Sequence, residues 1–186
     1  MAEEFAERML RTMNEAAVAL MVSVGHRSRF TGFDFSPEGI AAARAEASRL
    51  GLPNARFEER DAARLDETAR FDFVTTFDSV HDQARPDLVL AGIGAALRPG
   101  GVYLCVDTSA SSQVAENLDH PLGPFLYTVS CMHCMTVSLA DGGMGLGAMW
   151  GEQTARRMLS EAGFTSVEAR RIDGDIVNAY FIATKG

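Results

Sequence analysis

Four aspartates follow predicted strands, at spacings that would put their carboxylates on one edge of a sheet. They are Asp34, Asp61, Asp78 and Asp107. In an open α/β sheet, ligands bind outside the carboxyl ends of the strands, where such side chains meet. A carboxylate there can accept hydrogen bonds from both ribose hydroxyls of a nucleotide, and Asp34 is placed for that role. The simpler alternative is that Asp34 stabilises the N-terminus of the helix that follows it.

Groups that could move a proton come just after one of these strands and again later in the chain. They are His81, Asp82, His120 and His133. A histidine that titrates near neutral pH can act as general base for an oxygen or nitrogen nucleophile. We expect His81 to be the catalytic base, with a polar pocket wall or a helix cap as the alternative. Trp150 is expected to line the pocket or the core.

The segment CMHC has the spacing of a redox pair or of half a zinc site. It contains Cys131 and Cys134, and the chain has three cysteines in all. An odd count does not make a disulfide framework, and no second CxxC or histidine pair completes four metal ligands. We therefore expect these cysteines to pack on a helix, and we expect no metal.

The elements that must position these groups alternate between strands and helices. Such alternation implies parallel βαβ units with right-handed crossovers, hence an α/β fold. Two further strands, separated by a turn, are predicted to end the sheet as an antiparallel hairpin. The predicted strands are residues 29–34, 55–60, 71–77, 102–107, 167–172 and 179–184, and the main helices are residues 36–50, 86–97, 124–139 and 153–162.

The first 27 residues follow a different pattern. From Phe5 to Val24, apolar residues recur at spacings of three and four, which indicates one face of a helix that Gly25 would cap. Such a stripe needs a partner, either the body of the protein or a second subunit. We expect residues 1–27 to form an N-terminal helix through which two chains make a homodimer. Residues 28–186 are expected to form one domain.

Composition narrows the possible partners. The 186 residues include 47% hydrophobic and 23% charged side chains, with a net charge of −8. Binding to nucleic-acid phosphates or anionic lipid needs clustered Lys and Arg, so we expect neither a nucleic-acid nor a membrane partner. The net charge is better suited to a small-molecule substrate or a protein partner. The apolar runs are too short to cross a bilayer and the acidic start is unlike a signal peptide, which predicts a cytoplasmic protein.

Several segments resemble, in order and spacing, the motifs of class I S-adenosylmethionine-dependent methyltransferases. They are RFTGFDFSPEGIAAARAEA, ARFEERDAARL, RFDFVTTFDSVHDQARP and ALRPGGVYLCVD. Near the C-terminus, LSEAGFTSVEAR and NAYFIATKG resemble the closing helix and hairpin of that fold. More narrowly, FDSVHDQ and GLGAMWGEQ resemble a bacterial subgroup in which an N-terminal helix and a winged-helix-like region precede the catalytic domain.

The resemblance implies a Rossmann-like sheet with a C-terminal antiparallel hairpin. It also implies methyl transfer from S-adenosylmethionine to an oxygen or nitrogen of a small molecule. His81 and Asp82 would face the methyl-transfer site. The cofactor-binding residues that it implies are Asp34 on the ribose, Asp61 and Ala62 beside the adenine, and Phe77 and Asp78 near the methionine part. Phe35, directly after Asp34, is also expected to contact the cofactor.

One motif of the family has no counterpart before Ser28. The first strand of the family normally ends in an acid followed by a GxGxG-type loop, whose glycines let the backbone approach the cofactor. Two residues, His26 and Arg27, separate Gly25 from Ser28, whereas a parallel crossover requires a dozen or more. The segment NEAAVALMVSVGHR instead resembles the start of the winged-helix region. We infer an internal deletion that removes the first strand.

This deletion leaves alternatives open. The flanking strands could close the gap, an element swapped from a second chain could fill it, or another segment could. The segment TVSLADGGMGLG, residues 136–147, imitates the missing loop, although its position matches a flexible wall of the substrate pocket. The chain could then be a methyltransferase, a non-catalytic dimerisation or regulatory protein that keeps the fold, or a shortened form of an ordinary enzyme.

Overall fold

The computed structural model describes residues 28–186. The chain divides into two compact units, residues 1–62 and 63–186. The predicted N-terminal helix, and with it the predicted dimer contact, lies outside the described residues.

The first unit contains one βαβ element in its described part. Strand β1 (Phe30–Asp34) pairs in parallel with β2 (Ala55–Glu59), and helix α1 (Pro37–Arg49) connects them. Ser36 begins the helix, since its hydroxyl accepts a hydrogen bond from the Gly39 N–H at 3.1 Å. This crossover confirms the parallel unit that the sequence predicts.

The second unit is built on a four-stranded mixed sheet with the order β3-β4-β6-β5. Strand β3 runs parallel to β4, while β6 is antiparallel to both β4 and β5. The elements are β3 (Phe71–Phe77), α2 (Pro86–Ala96), β4 (Leu97–Thr108), α3 (Gly123–Val129), a π-helical segment (Ser130–Cys134), α4 (Met135–Ala140), α5 (Gly151–Glu161), β5 (Phe164–Arg170) and β6 (Asn178–Lys185), with short 3₁₀ turns at Ala62–Arg64 and Val114–Asn117.

The core of this unit lies between the central strands and the helices beside them. Tyr103 of β4 and Phe181 of β6 are fully buried, as are Leu90 of α2 and Leu159 of α5. Tyr103 stacks on Phe164 with ring centroids 5.7 Å apart. Burial of these large side chains supplies most of the free energy that holds the sheet to its helices.

Comparison with the predicted elements confirms the α/β class and the antiparallel hairpin, and it corrects some boundaries. Strand β4 begins at Leu97, whereas the predicted strand begins at residue 102. Its added first part includes Gly100 with φ +75°, and the pairing with β3 shifts between Phe71 and Phe73. The hairpin strand β5 begins at Phe164, three residues earlier than predicted. The pattern of apolar residues identifies a strand in the sequence. Hydrogen bonds to the neighbouring strand decide at which residue the strand begins.

Among residues 28–186, the strands form a two-stranded sheet of order β1-β2 and a four-stranded sheet of order β3-β4-β6-β5. Within the same residues, no helix combines the length and the apolar character that a membrane crossing would require.

Candidate functional site

The carboxyl ends of β3 and β4 form the edge at which the sequence places its chemistry. The two strands are parallel neighbours, with Phe77 opposite Val106, and the Asp78 N–H donates to the Val106 carbonyl at 2.9 Å. Asp78 has φ +43°, a left-handed conformation that non-glycine residues seldom adopt. The chain therefore turns sharply after β3, and Asp78 and Asp107 lie on the same edge.

Asp107 is fully buried, and three N–H groups converge on its Oδ1. His81 Nδ1 lies 2.7 Å from this oxygen, Trp150 Nε1 donates at 3.0 Å, and the Thr108 N–H donates at 2.8 Å. With a carboxylate as acceptor, the proton of the His81–Asp107 bond lies on Nδ1. The carboxylate thus fixes the orientation of both the imidazole and the indole ring.

His81 is also almost fully buried, with 3% of its surface exposed. Its second nitrogen, Nε2, lies 3.2 Å from Asp82 Oδ1. Burial alone lowers the pKa of His81, but the charge and hydrogen bond of Asp107 and the contact with Asp82 outweigh it, so the pKa is raised. The geometry is that of an imidazole held between two carboxylates.

Cys134 reaches the same cluster from the π-helical segment. Its sulfur, a ring nitrogen of His81 and a carboxylate oxygen of Asp82 all lie within 4.8 Å of one another. Cys134 is buried, whereas Cys131 and His133 are exposed. The expectation that both cysteines pack against the helix therefore holds for Cys134 and is wrong for Cys131. π-helical turns inside helices are frequent at functional sites.

The glycine-rich segment after α4 closes one side of this cluster. The Gly147 N–H donates to the His81 carbonyl at 3.3 Å, and the Met144 N–H donates to the Ala84 carbonyl at 3.0 Å. A Cβ atom on Gly143 would lie 2.3 Å from the Ala84 Cα, so this close approach requires glycine.

The segment is preceded by helix α4, not by a strand. A cofactor loop of the GxGxG type needs a strand before it, so the alternative in which residues 136–147 replace the missing strand and loop is wrong. Its contacts with residues 81–84 make it a wall beside His81.

More carboxylates lie near the same edge, because β6 is antiparallel to β4 and begins where β4 ends. The Tyr180 hydroxyl donates to Asp175 Oδ2 at 2.6 Å. Burial, followed by the charge of Asp107, raises the pKa of Asp78 to about 6, and Asp82 and Asp175 add to this shift. The edge is therefore strongly acidic, which favours cationic ligands.

In the first unit, the predicted residues lie after β1 and β2. Asp34 ends β1 and is exposed, Phe35 has 73% of its surface exposed, and Asp61 is exposed beside Ala62, which begins a 3₁₀ turn. Asp34 Oδ1 accepts a hydrogen bond from the Ser36 N–H at 2.8 Å, at the start of helix α1. The two roles that the sequence suggests for Asp34, helix stabilisation and ligand binding, would therefore use the same carboxylate.

The second oxygen of Asp34 bears on whether a ribose fits. A Cβ atom at Gly39 would lie 3.3 Å from Asp34 Oδ2, so the glycine leaves this oxygen uncovered on the helix side. No hydrogen bond to Oδ2 occurs within the described part of the chain. An open carboxylate oxygen at the end of a strand is what a ribose hydroxyl requires as acceptor.

Comparison with known proteins identifies the class of this chain. A family model described as a methyltransferase domain matches residues 12–167. The match covers most of the chain, and the chain belongs to this family. The prediction of a class I S-adenosylmethionine-dependent methyltransferase family is confirmed.

Individual relatives cover the chain to different extents. The chain is 43% identical over 72 residues to the 23S rRNA (uracil(747)-C(5))-methyltransferase RlmC of Cronobacter sakazakii, a match that covers 36% of this chain and 16% of that protein. A putative O-methyltransferase from Nostoc punctiforme has a TM-score of 0.66 at 18% identity, over 84% of this chain and 44% of that chain.

A putative methyltransferase from Bacillus halodurans has a TM-score of 0.62 at 17% identity, over 83% of this chain and 82% of that chain. At these identities, the structural similarity shows the fold. The chain spans a small part of the rRNA methyltransferase and less than half of the Nostoc protein.

The sequence places Asp78, Asp107 and His81 at one edge, but two contacts of the site are not predictable from it. Trp150, which the sequence assigns to the pocket or core, also donates a hydrogen bond to Asp107. Cys134 lies close to His81. No local signal could reveal either contact, because each joins segments far apart in the chain.

Proposed function

We propose that this chain is an S-adenosylmethionine-dependent methyltransferase that acts on an oxygen or nitrogen atom of a small molecule. The observation that supports this most directly is the constellation of Asp78, His81 and Asp107 at the carboxyl ends of β3 and β4, within a chain of the methyltransferase family. This edge is where open α/β sheets bind their ligands.

In this proposal, the residues predicted from the sequence keep their roles toward the cofactor. When bound, S-adenosylmethionine supplies a methyl group on a positively charged sulfur. Asp34 accepts hydrogen bonds from the ribose hydroxyls through its carboxylate, and Phe35 lies beside it. Asp61 and Ala62 contact the adenine, and Phe77 and Asp78 contact the methionine part.

The chemistry asked of the protein is mainly positioning. The lone pair of the acceptor must point at the methyl carbon along the bond that breaks, and a positioned pair reacts far faster than a free one. Asp107 and the glycine-rich wall hold the residues around His81 in place for this purpose. The role of His81 as general base stays a prediction. Its Nδ1 donates to Asp107, so the base would be Nε2, and because the neighbouring carboxylates raise the pKa of His81, Nε2 must first lose a proton before it can accept one from the acceptor.

A small acceptor is supported mainly by charge. An open, polar surface depression of about 280 Å³ lies just beyond β4, and its lining includes Ser109, Ser111, Asn117 and Gln153 but not His81. Its volume falls just below the usual range of small-molecule sites. The net charge of −8 disfavours an RNA acceptor, even though one relative is an rRNA methyltransferase.

A second candidate function is a non-catalytic dimerisation or regulatory protein that keeps the methyltransferase fold. Two observations favour it: the described strands form two sheets, and no strand of residues 28–186 is followed by a GxGxG loop. Without that loop, the backbone contacts that the family uses for its cofactor must come from elsewhere.

Calorimetric titration with S-adenosylmethionine and with its demethylated product separates the two functions. The methyltransferase proposal expects one binding site per chain with an affinity in the micromolar range, about −8 kcal/mol. A folded protein that binds neither compound would instead support the non-catalytic function. Circular dichroism of the same sample establishes that the chain is folded.

A further inference from the structure

Three side chains with metal-binding atoms meet at the carboxyl edge of the second unit. His81 and Asp82 come from the loop after β3, and Cys134 comes from the π-helical segment. Their ligand atoms lie within 4.8 Å of one another. His81 and Asp82 are adjacent in the sequence, whereas Cys134 lies far from them along the chain, so the fold completes the cluster.

We propose that His81 Nε2, Asp82 and the Cys134 thiolate bind a zinc ion. Imidazole nitrogen, carboxylate oxygen and thiolate sulfur are the three ligand types that zinc takes in proteins. With zinc bonds of about 2.0–2.1 Å to nitrogen and oxygen, tetrahedral geometry separates these two ligand atoms by about 3.3 Å. The observed distance from His81 Nε2 to Asp82 Oδ1 is 3.2 Å.

The second nitrogen of His81 supports this assignment. Zinc-binding histidines nearly always donate their other N–H to a carboxylate, a carbonyl or a water, which fixes the tautomer and turns the free lone pair to the metal. His81 Nδ1 bonds Asp107 Oδ1 at 2.7 Å. Trp150 and Thr108 hold the same oxygen, so Nε2 is aimed at Asp82 and Cys134.

Two buried carboxylate oxygens with unfilled hydrogen-bonding capacity point to the same conclusion. Asp107 Oδ2 has no hydrogen-bond partner within the part of the chain that the structure describes, and Asp82 Oδ1 lies 3.2 Å from His81 Nε2 without a well-aligned hydrogen bond to it. A buried oxygen without a partner costs free energy, and this cost is larger for a charged group. A cation bound to Asp82 Oδ1 would satisfy that oxygen, and the carboxylate of Asp107 would add a favourable field.

The ligand set leaves one position open. Structural zinc sites usually have four protein ligands, whereas catalytic ones have three and bind water or substrate at the fourth. The Asp82 side chain is 28% exposed, so the cluster is accessible from solvent on that side. The site therefore matches an ion that could bind an oxygen or nitrogen donor at the edge of the sheet.

Zinc binding and the predicted base role of His81 exclude each other, because both use the Nε2 lone pair. The zinc site does not depend on binding of S-adenosylmethionine. Metal content and cofactor affinity are measured separately, so either proposal can fail without the other.

The test is to remove metal from the purified chain with a chelator, titrate it with Zn²⁺ in a calorimeter, and measure retained zinc by elemental analysis after gel filtration. We expect about one ion per chain, with release of protons from the thiol and from the imidazole. Co²⁺ in place of Zn²⁺ should show thiolate-to-cobalt charge-transfer absorption.

Matched variants identify the ligands. Cys134→Ser should abolish the charge-transfer absorption and weaken zinc binding by more than about tenfold, and Asp107→Asn should weaken it by about 10–100-fold, the usual cost of losing an outer-shell partner. Cys131 and His133 lie within about one turn of Cys134 but are exposed. The control variants Cys131→Ser and His133→Gln should therefore leave zinc binding unchanged.

Asp82→Asn provides a second test should Cys134→Ser fail to fold, because Asp82 is partly exposed. It too should weaken zinc binding by more than about tenfold. Less than about 0.2 ion per chain in the unmodified protein, or equal binding by the Cys131→Ser and Cys134→Ser variants, would overturn the assignment.

Discussion

His81 Nδ1 lies 2.7 Å from Asp107 Oδ1, and both side chains are buried although 26 positions separate them in the chain. The contact depends on the parallel pairing of β3 and β4, which brings the end of one strand beside the end of the other. It holds a charged imidazole beneath the edge of the sheet. The acidic edge and the orientation of Trp150 both follow from it.

Loss of the Asp107 charge should strongly destabilise the protein. Asp107→Asn leaves the His81 imidazolium buried without its main partner, and breaking a buried pair typically costs about 3–5 kcal/mol. Urea unfolding followed by circular dichroism measures the change in the free energy of unfolding. Asp72→Asn is the control, because the Asp72–Arg98 pair is exposed and should contribute less than about 1 kcal/mol. Similar effects of the two substitutions would contradict the central role of Asp107.

The proposed ribose contact can be tested at Asp34. Asp34→Ala should weaken binding of S-adenosylmethionine by about 1–3 kcal/mol, the scale of a lost hydrogen bond to a charged group. Glu46 is a partly exposed acid on α1 that pairs with Arg49, so Glu46→Ala removes the same charge and should leave the affinity unchanged. Unchanged affinity of the Asp34 variant in a calorimetric titration would reject its role.

Thiol reactivity should distinguish the three cysteines. Cys131 is exposed, whereas Cys105 and Cys134 are buried. Burial, followed by the charge of Asp107, raises the pKa of Cys105 to about 12, so little thiolate is present at neutral pH. With an aromatic disulfide reagent, the native protein should release one equivalent rapidly, and the urea-unfolded protein should release three. Cys131→Ser should remove the rapid phase. If a rapid phase persists in this variant, Cys105 or Cys134 is accessible to the reagent and is not buried.

The pair of Tyr180 and Asp175 predicts an effect at alkaline pH. The hydrogen bond to Asp175, with burial second, raises the pKa of Tyr180 to about 12. A raised folded pKa contributes stability that is fully present below the unfolded value of about 10, and this stability is lost as the pH rises from there to about 12.

Asp175→Asn should therefore lower the pKa of Tyr180 toward its ordinary value. The absorbance of tyrosinate measures this, and subtraction of the Tyr180→Phe trace isolates the residue. Asp173→Asn, in the same exposed turn, is the control and should change nothing. An unshifted Tyr180 titration in the Asp175 variant would contradict the assigned cause.

The predicted dimer is tested at Leu20, on the apolar stripe of the N-terminal segment. Leu20→Glu places a charge on that stripe and should shift the protein toward monomer in sedimentation velocity. Glu15→Gln, a polar position in the same segment, should leave the distribution as it is. A monomeric unmodified protein would show that the stripe has another partner.

The sequence by itself determined the alternation of strands and helices, the acids at the strand ends, and the family. Each of these depends on periodicity and on turn and cap residues, which act between neighbours in the chain. The helix start at Ser36, the parallel crossover of β1 and β2, and the hairpin of β5 and β6 are all predicted in this way.

The tertiary structure decided which side chains meet. Trp150 reaches Asp107, and Cys134 reaches His81 and Asp82, through packing of helices and loops onto the sheet edge. The same packing shows that the glycine-rich segment at residues 141–147 follows a helix and lies against residues 81–84. Contacts of this kind depend on the summed burial of many residues, which no local pattern records.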